Sequence, residues 1–132
     1  MDVARARLAI SLLDLTDLTD RCTPSDIDRL CRRAVDAGTA AVCVWPDFVQ
    51  QSSRTLADTP VAIATVVNFP TGDERPYAVR AVTEQALLDG ADDIDVVLPF
   101  RAFMAGDFDW CGALLDEVRA ATLDRAHLKV IL

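Results

Sequence analysis

The chain has 132 residues, of which 52% are hydrophobic and 26% charged, a balance typical of a globular domain and not of a disordered segment. A net charge of -8 argues against a surface that binds nucleic acid. The sequence contains no run of about 18 apolar residues, so no membrane span is predicted. The four cysteines form no CxxC pair, which excludes zinc-finger and thioredoxin motifs, and we expect reduced thiols in a cytoplasmic protein.

The first third of the chain predicts a helix, a strand and a second helix. A short helix is expected over residues 2–10, and the apolar segment 12–16, broken by one acid, predicts the first strand. Thr23 has the character of an N-cap, and Pro24 suits the first helical turn that follows it. Apolar residues then recur at the helical period until Gly38, which ends this helix.

Two buried strands follow, separated by one helix. Residues 40–45 form an apolar run that Pro46 ends. We expect Asp47 to cap a helix that runs to about residue 57. The third strand is predicted over residues 61–67, because this run is apolar and rich in β-branched side chains.

The second half continues the same alternation of strands and helices. In chain order the pattern predicts a loop over residues 68–73, a helix from Pro76 to Asp89, a strand over residues 93–98, a loop over residues 99–107, a helix over residues 109–122 and a strand over residues 128–132.

Strands that are apolar on both faces and separated by helices predict an α/β fold with a parallel sheet and outer helices. A doubly wound sheet and a barrel both fit this pattern. The first strand-to-helix connection lacks the G-x-G-x-x-G motif of dinucleotide-binding folds. Polar residues lie inside the strands instead, at Asp14, Cys43, Asp95 and Lys129. A barrel with a site at its C-terminal mouth explains them better.

Asp95 is the strongest local signal for chemistry. Strand alternation places Asp93, Asp95 and Val97 on one face, and their neighbours face the helices. An acid between valines in a central strand is costly unless it is paired or hydrogen-bonded. Two interpretations stay open: an internal salt bridge or backbone cap, and a general acid/base with a tuned pKa.

Lys129 is the only lysine of the chain and alternates with Leu128 and Val130, so we expect it to point into the barrel. An apolar setting predicts a lowered pKa and a role as nucleophile or proton carrier. An ion pair with Asp95 or Asp14 is an equally good interpretation, and the two are compatible.

Four other positions divide between structural and functional interpretations. Asp14 and Thr16 either cap the end of the first strand or line a site. Cys43 is either a small buried hydrophobe or part of a site wall. Phe69 follows the third strand and lies at the mouth, where loops commonly hold substrate. His127 is expected to be a surface residue at the opposite end.

Five segments, in this order and spacing, resemble the deoxyribose-phosphate aldolase family. The resemblance runs from Leu8 to Leu132, and its most specific parts are NFPTG and DIDVVLPFRAFMAGD. The segments are LLDLT, AAVCVWPDFV, IATVVNFPTG, GADDIDVVLPFRAFMAGD and LKVIL.

The resemblance implies a TIM barrel that reversibly cleaves 2-deoxy-D-ribose 5-phosphate into acetaldehyde and D-glyceraldehyde 3-phosphate. A lysine Schiff base serves as the electron sink, and neither a metal nor another cofactor is implied. By position, Asp95 matches the catalytic proton shuttle, and Lys129 matches a lysine that lines the site and tunes its electrostatics. The substrate-binding positions that the resemblance implies are Asp14, Thr16, Cys43 and Phe69.

The sequence covers only the first part of the family pattern. The resemblance places the Schiff-base lysine on a sixth strand, an assisting lysine on a seventh, and the phosphate loops after the seventh and eighth, all outside this sequence. We therefore expect residues 1–132 to form the N-terminal half of an aldolase domain, inactive alone and completed by the missing half or by another copy. The alternative is a non-enzymatic, self-associating half-barrel or a weak phosphosugar-binding module.

Overall fold

A five-stranded parallel sheet with helices on its outside forms the frame of the computed structural model, which describes residues 2–132. The strands are β1 (Asp14–Asp17), β2 (Ala41–Val44), β3 (Ala62–Val67), β4 (Asp93–Val97) and β5 (His127–Ile131). The helices are α1 (Val3–Ile10), α2 (Pro24–Ala37), α3 (Val49–Thr55), α4 (Pro76–Asp89), α5 (Phe100–Met104) and α6 (Phe108–Thr122), with a 3-10 turn at Pro46–Phe48. Within this part of the chain, no helix is both long and apolar enough to cross a lipid bilayer.

The strands lie in the sheet in the same order as in the sequence, β1-β2-β3-β4-β5, and every neighbouring pair is parallel. Right-handed crossovers in one constant direction place all the connecting helices on one face of the sheet. A doubly wound sheet would reverse its strand order and carry helices on both faces. The barrel prediction is therefore confirmed over these five strands.

The main core lies between the outer face of the sheet and the helices. Val42, Ile94 and Val96 point outward and pack against buried helical residues such as Ile27 and Leu114. The inner face holds a second, smaller cluster built from Cys43, Ala64 and Val66. Consecutive residues of one strand thus belong to different cores, because side chains alternate with a period of two.

The sheet is strongly curved. Four strand spacings separate β1 from β5, so a flat sheet would hold them roughly 19 Å apart. A lysine side chain cannot span that distance. Yet Nζ of Lys129 on β5 lies 2.8 Å from Oδ2 of Asp14 on β1. The inner face is therefore curled into a trough, as the wall of a barrel requires.

Helix α2 shows how local sequence sets the frame. The Thr23 hydroxyl accepts from the Asp26 backbone N–H, and the Asp26 carboxylate accepts from the Thr23 N–H, which completes a capping box. Gly38 ends the helix at a φ of 71°, where a left-handed conformation favours glycine. These features confirm the predicted helix start and stop.

Two predicted elements were wrong in detail. Asp47 lies inside the 3-10 turn and makes no cap, and α3 begins at Val49 and ends at Thr55, short of residue 57. The predicted loop over residues 99–107 contains the helix α5. Between the flanking proline and Gly106 this segment has no helix-breaking residue, so one helical turn and a fraction fit between them.

Candidate active site

Lys129 lies at the centre of a charged cluster on the inner face of the sheet. Its Nζ is 2.8 Å from Oδ2 of Asp14, 3.2 Å from Oδ1 of Asp95 and 3.6 Å from Oδ2 of Asp93. Asp93 and Asp95 share this face because they are two residues apart on β4, and Asp95 is the direct neighbour of Lys129 in the β4–β5 register. Three carboxylates thus surround one ammonium group, two of which the sequence interpretation had named as partners.

Asp95 is the least hydrated of the three acids. Its side chain is 15% exposed, and its Oδ1 is buried without a hydrogen-bond partner in the described part of the chain. The contact between this oxygen and Lys129 is short but poorly directed for a hydrogen bond, so we treat it as an ion pair.

The pKa of Asp95 is raised above its ordinary value. Burial is the main cause, and contact with the Lys129 ammonium offsets it only in part. The negative charges of Asp14 and Asp93 raise it further. A carboxyl group whose pKa moves toward neutrality can both give and take a proton, which is the property required of a general acid/base.

The predicted lowering of the Lys129 pKa was wrong. Partial burial does act to lower it, but contacts with Asp14 and Asp95 outweigh burial, so the pKa is raised above 10.5. The sequence prediction took the alternating apolar neighbours as the surroundings of the ammonium group. In the folded chain its surroundings are carboxylates, and the lysine stays protonated at neutral pH.

The raised pKa of Lys129 predicts that the folded chain loses stability at alkaline pH. Because the folded state binds the Lys129 proton more tightly, the stabilisation is fully present below pH 10.5 and is lost as the pH rises through the raised value. We expect a loss of about 1 kcal/mol, since the side chain is 44% exposed and solvent screens its charge. Urea unfolding between pH 9 and 12 measures it. If the free energy of unfolding of Lys129→Met falls equally steeply between pH 9 and 12, the loss of stability does not come from Lys129.

Cys43 and Thr16 line the same face above Asp14. They are direct neighbours in the β1–β2 register. Cys43 is buried, and burial, followed by the charges of Asp95 and Asp14, raises the pKa of its thiol to about 12. It is therefore a neutral thiol that contributes an apolar surface. The Thr16 hydroxyl donates to the backbone oxygen of Asp14 and remains exposed on the inner face.

An apolar collar follows the charged cluster toward the C-terminal ends of the strands. Phe69 and Trp45 meet edge to face, with ring centroids 5.5 Å apart, and both pack against the inner cluster that contains Cys43. The Trp45 indole N–H donates to the Thr19 backbone oxygen, which ties the collar to the end of β1. A small substrate between the collar and the carboxylates would be partly shielded from water.

Sequence reasoning missed the roles of two residues next to the site. Asn68 is fully buried, and its amide donates to the Val97 oxygen and accepts from the Glu74 backbone N–H. The backbone φ of Asn68 is 56°, which lies in the left-handed region. The only hint in the sequence was the residue type, because asparagine tolerates this region better than most residues do. Asp93 binds both Lys129 and the exposed His127, whose Nδ1 lies 3.0 Å from it. His127 lies on the surface, as predicted.

The sequence matches a known family over nearly its whole length. The profile described as DeoC/LacD family aldolase matches residues 8–132. A deoxyribose-phosphate aldolase from Agrobacterium fabrum (strain C58 / ATCC 33970) is 49% identical over 130 residues. That match takes in 96% of this chain and 50% of the relative, so the chain spans about half the length of the curated relative it matches.

Solved structures share the fold. A Coccidioides immitis structure assigned as a deoxyribose-phosphate aldolase superposes with a TM-score of 0.92 at 30% identity, covering 96% of this chain and 49% of that one. The tetrameric deoxyribose phosphate aldolase from Aeropyrum pernix gives a TM-score of 0.84 at 25% identity, covering 96% of this chain and 53% of its own.

Proposed function

The chain belongs to the DeoC/LacD aldolase family, and we propose that it forms the first five strands of a deoxyribose-phosphate aldolase barrel. The reaction proposed is reversible cleavage of 2-deoxy-D-ribose 5-phosphate to acetaldehyde and D-glyceraldehyde 3-phosphate. One observation carries the proposal: the carboxyl group of Asp95, with its raised pKa, faces the inside of the sheet beside a protonated Lys129 and beneath an apolar collar.

Asp95 is the proposed proton shuttle. A lysine from the part of the barrel that this chain does not cover forms the Schiff base with the substrate. The Asp95 carboxyl gives a proton to the carbinolamine hydroxyl, which leaves as water and completes the imine. The Asp95 carboxylate formed in this step then takes the proton of the substrate hydroxyl as the carbon–carbon bond breaks. The electron pair of that bond moves into the protonated imine, which becomes an enamine. The carboxylic acid then returns a proton to the enamine carbon. Water adds to the resulting imine and gives a proton to the Asp95 carboxylate, and collapse of the carbinolamine releases acetaldehyde and the free lysine amine.

Lys129 is proposed to support this chemistry and not to replace the nucleophile. Attack on an aldehyde requires a neutral amine, and the raised pKa leaves the Lys129 amine protonated at neutral pH. Its positive charge instead stabilises Asp14, Asp93 and the ionised form of Asp95. Asp14, Thr16, Cys43 and Phe69 are proposed to bind substrate, with Phe69 in the apolar collar and Thr16 offering an exposed hydroxyl.

Borohydride trapping separates these roles. We expect the chain alone, mixed with acetaldehyde and sodium borohydride at pH 7, to show no mass increase at Lys129, because the amine is protonated. Intact mass spectrometry followed by peptide mapping measures the adduct. An adduct that disappears in Lys129→Met would contradict the supporting role and make this lysine a nucleophile.

Activity is tested in a complex that we call the completed barrel. It consists of this chain co-expressed with the half of the Agrobacterium fabrum relative that the chain does not cover. We expect acetaldehyde release from 2-deoxy-D-ribose 5-phosphate only when both parts are present, with the trapped adduct on the second part. An inactive complex that still forms a folded barrel would contradict the aldolase assignment and favour the alternative, a non-enzymatic, self-associating half-barrel or a weak phosphosugar-binding module.

Self-association and location remain predictions for this chain. Size-exclusion chromatography of the chain alone tests the predicted oligomer, and a well-behaved monomer would contradict it. All four cysteines are free thiols, a state that supports the proposed cytoplasmic location.

A further inference from the structure

Arg101 joins two loops at the mouth of the sheet. Its Nη1 donates to the Thr71 backbone oxygen at 2.9 Å and to Oδ2 of Asp73 at 2.6 Å. The guanidinium group also lies over the Phe100 ring, 4.7 Å from the ring centroid. Arg101 stands on α5, after β4, whereas its two acceptors stand in the loop over residues 68–75, after β3. One exposed side chain therefore connects the loops of two neighbouring strands.

The same two loops approach each other closely at a glycine. A Cβ atom at Gly72 would lie 3.0 Å from the Leu98 backbone oxygen and 3.3 Å from the Phe100 ring. The φ of 72° at this glycine also disfavours a side chain. Asn68, at the start of the same loop, donates to the Val97 oxygen at the end of β4. The loop is thus held at its start by Asn68 and at its centre by Arg101, which contacts the residues on either side of Gly72.

The residue that this attachment holds in place is Phe69. It stands between Asn68 and the Arg101 contacts and forms the collar above the charged cluster with Trp45. A loop with only its two ends fixed would leave this ring free to move away from the inner face. We infer that Arg101 is a positioning residue, which holds the loop over residues 68–75 so that Phe69 forms a fixed wall of the active site. This inference rests on the proposed function only for its effect on substrate.

The loop itself offers two reporters in the chain as it stands. The backbone N–H of Gly72 donates to the Asn68 backbone oxygen, and that of Glu74 donates to the Asn68 side chain. We expect Arg101→Met to speed amide hydrogen exchange at both positions by about fivefold, because loss of the Arg101 contacts with Thr71 and Asp73 favours local opening of the loop. Arg101→Lys should lie between, since one ammonium can keep part of the contact.

Arg80 provides a matched control. It is an exposed arginine paired with Glu84 on α4 and Glu117 on α6, in the outer layer of helices, and it makes none of the contacts that Arg101 makes with the loop. Arg80→Met should leave exchange at Gly72 and Glu74 unchanged. Both arginine variants should melt within about 2 °C of the unaltered chain, because exposed ion pairs contribute little to stability.

The functional readout is the split between KM and kcat in the completed barrel. We expect Arg101→Met to raise KM for 2-deoxy-D-ribose 5-phosphate about fivefold and to leave kcat within about twofold, since the wall binds substrate without touching the reacting proton. Arg101→Lys should restore most of the KM, and Arg80→Met should change neither constant.

Two results would overturn the inference: unchanged exchange at Gly72 and Glu74 in Arg101→Met, or a fall in kcat at constant KM. An inactive completed barrel with the unaltered chain contradicts the proposed function alone. The exchange rates would in that case still decide whether Arg101 positions the loop.

Discussion

Replacement of Asp95 with asparagine will lower the kcat of the completed barrel by about 10³-fold, within the range that general acid–base groups contribute. Asparagine keeps the shape of the side chain and removes its ability to gain or lose a proton. The Asp95 oxygen next to Lys129 is buried, and burial already disfavours its charge. The neutral amide is therefore expected to leave the fold intact. Initial rates of acetaldehyde release measure the effect.

A second acid serves as control for this prediction. Asp116 lies exposed on α6, on the outside of the sheet, and Asp116→Asn should leave kcat unchanged. Circular dichroism and thermal melting of Asp95→Asn should match the unaltered chain. A kcat within tenfold of the unaltered complex would remove Asp95 from the role of proton shuttle and return it to the structural interpretation, a salt bridge to Lys129.

Replacement of Lys129 with methionine will lower the free energy of unfolding by about 2 kcal/mol at pH 7. Removal of one partner leaves the others as uncompensated charges in a partly buried setting, and the cost is below that of a fully buried pair because the ammonium is 44% exposed. Three carboxylates, those of Asp14, Asp93 and Asp95, then face one another without the cation between them. Urea unfolding measures the loss.

The direction of the pH dependence identifies the cause. Mutual repulsion and burial make the folded variant bind protons more tightly than its unfolded chain, so its stability should rise as the pH falls from 7 toward 5. Arg80→Met, which removes an exposed cation from between two acids, should cost less than about 1 kcal/mol. A Lys129→Met variant as stable as the unaltered chain at pH 7 would contradict the view that this ion cluster stabilises the curved sheet.

The features that depend only on residues close in sequence were predicted correctly. Strand alternation placed Asp95 and Lys129 on one face, and the sites of helix initiation at Thr23 and termination at Gly38 follow from local hydrogen bonding and backbone conformation. These features require only the residues within about one turn or one strand. The parallel sheet follows from the regular βα alternation, and the barrel from the polar residues inside the strands; both are confirmed.

What the sequence could not predict depends on the curvature of the sheet and on contacts between loops. The direction of the Lys129 pKa was wrong because the nearest carboxylate, Asp14, lies 115 residues away in sequence and four strands away in the sheet. Arg101 was hidden in a segment taken for a loop, and its acceptors lie on the loop of another strand. The ion pair of Lys129 with Asp14 was one of two open interpretations, and only the curvature of the sheet decides for it; the Arg101 contacts have no sequence period that could reveal them.

The contact between Lys129 and Asp14 has a consequence for the order of events during synthesis. The three acids of the cluster leave the ribosome before the lysine that neutralises them. Until Lys129 emerges, the nascent inner face carries three negative charges and no cation, and their repulsion favours an open sheet. We therefore expect curling of the trough to be a late step, coupled to translation of the fifth strand.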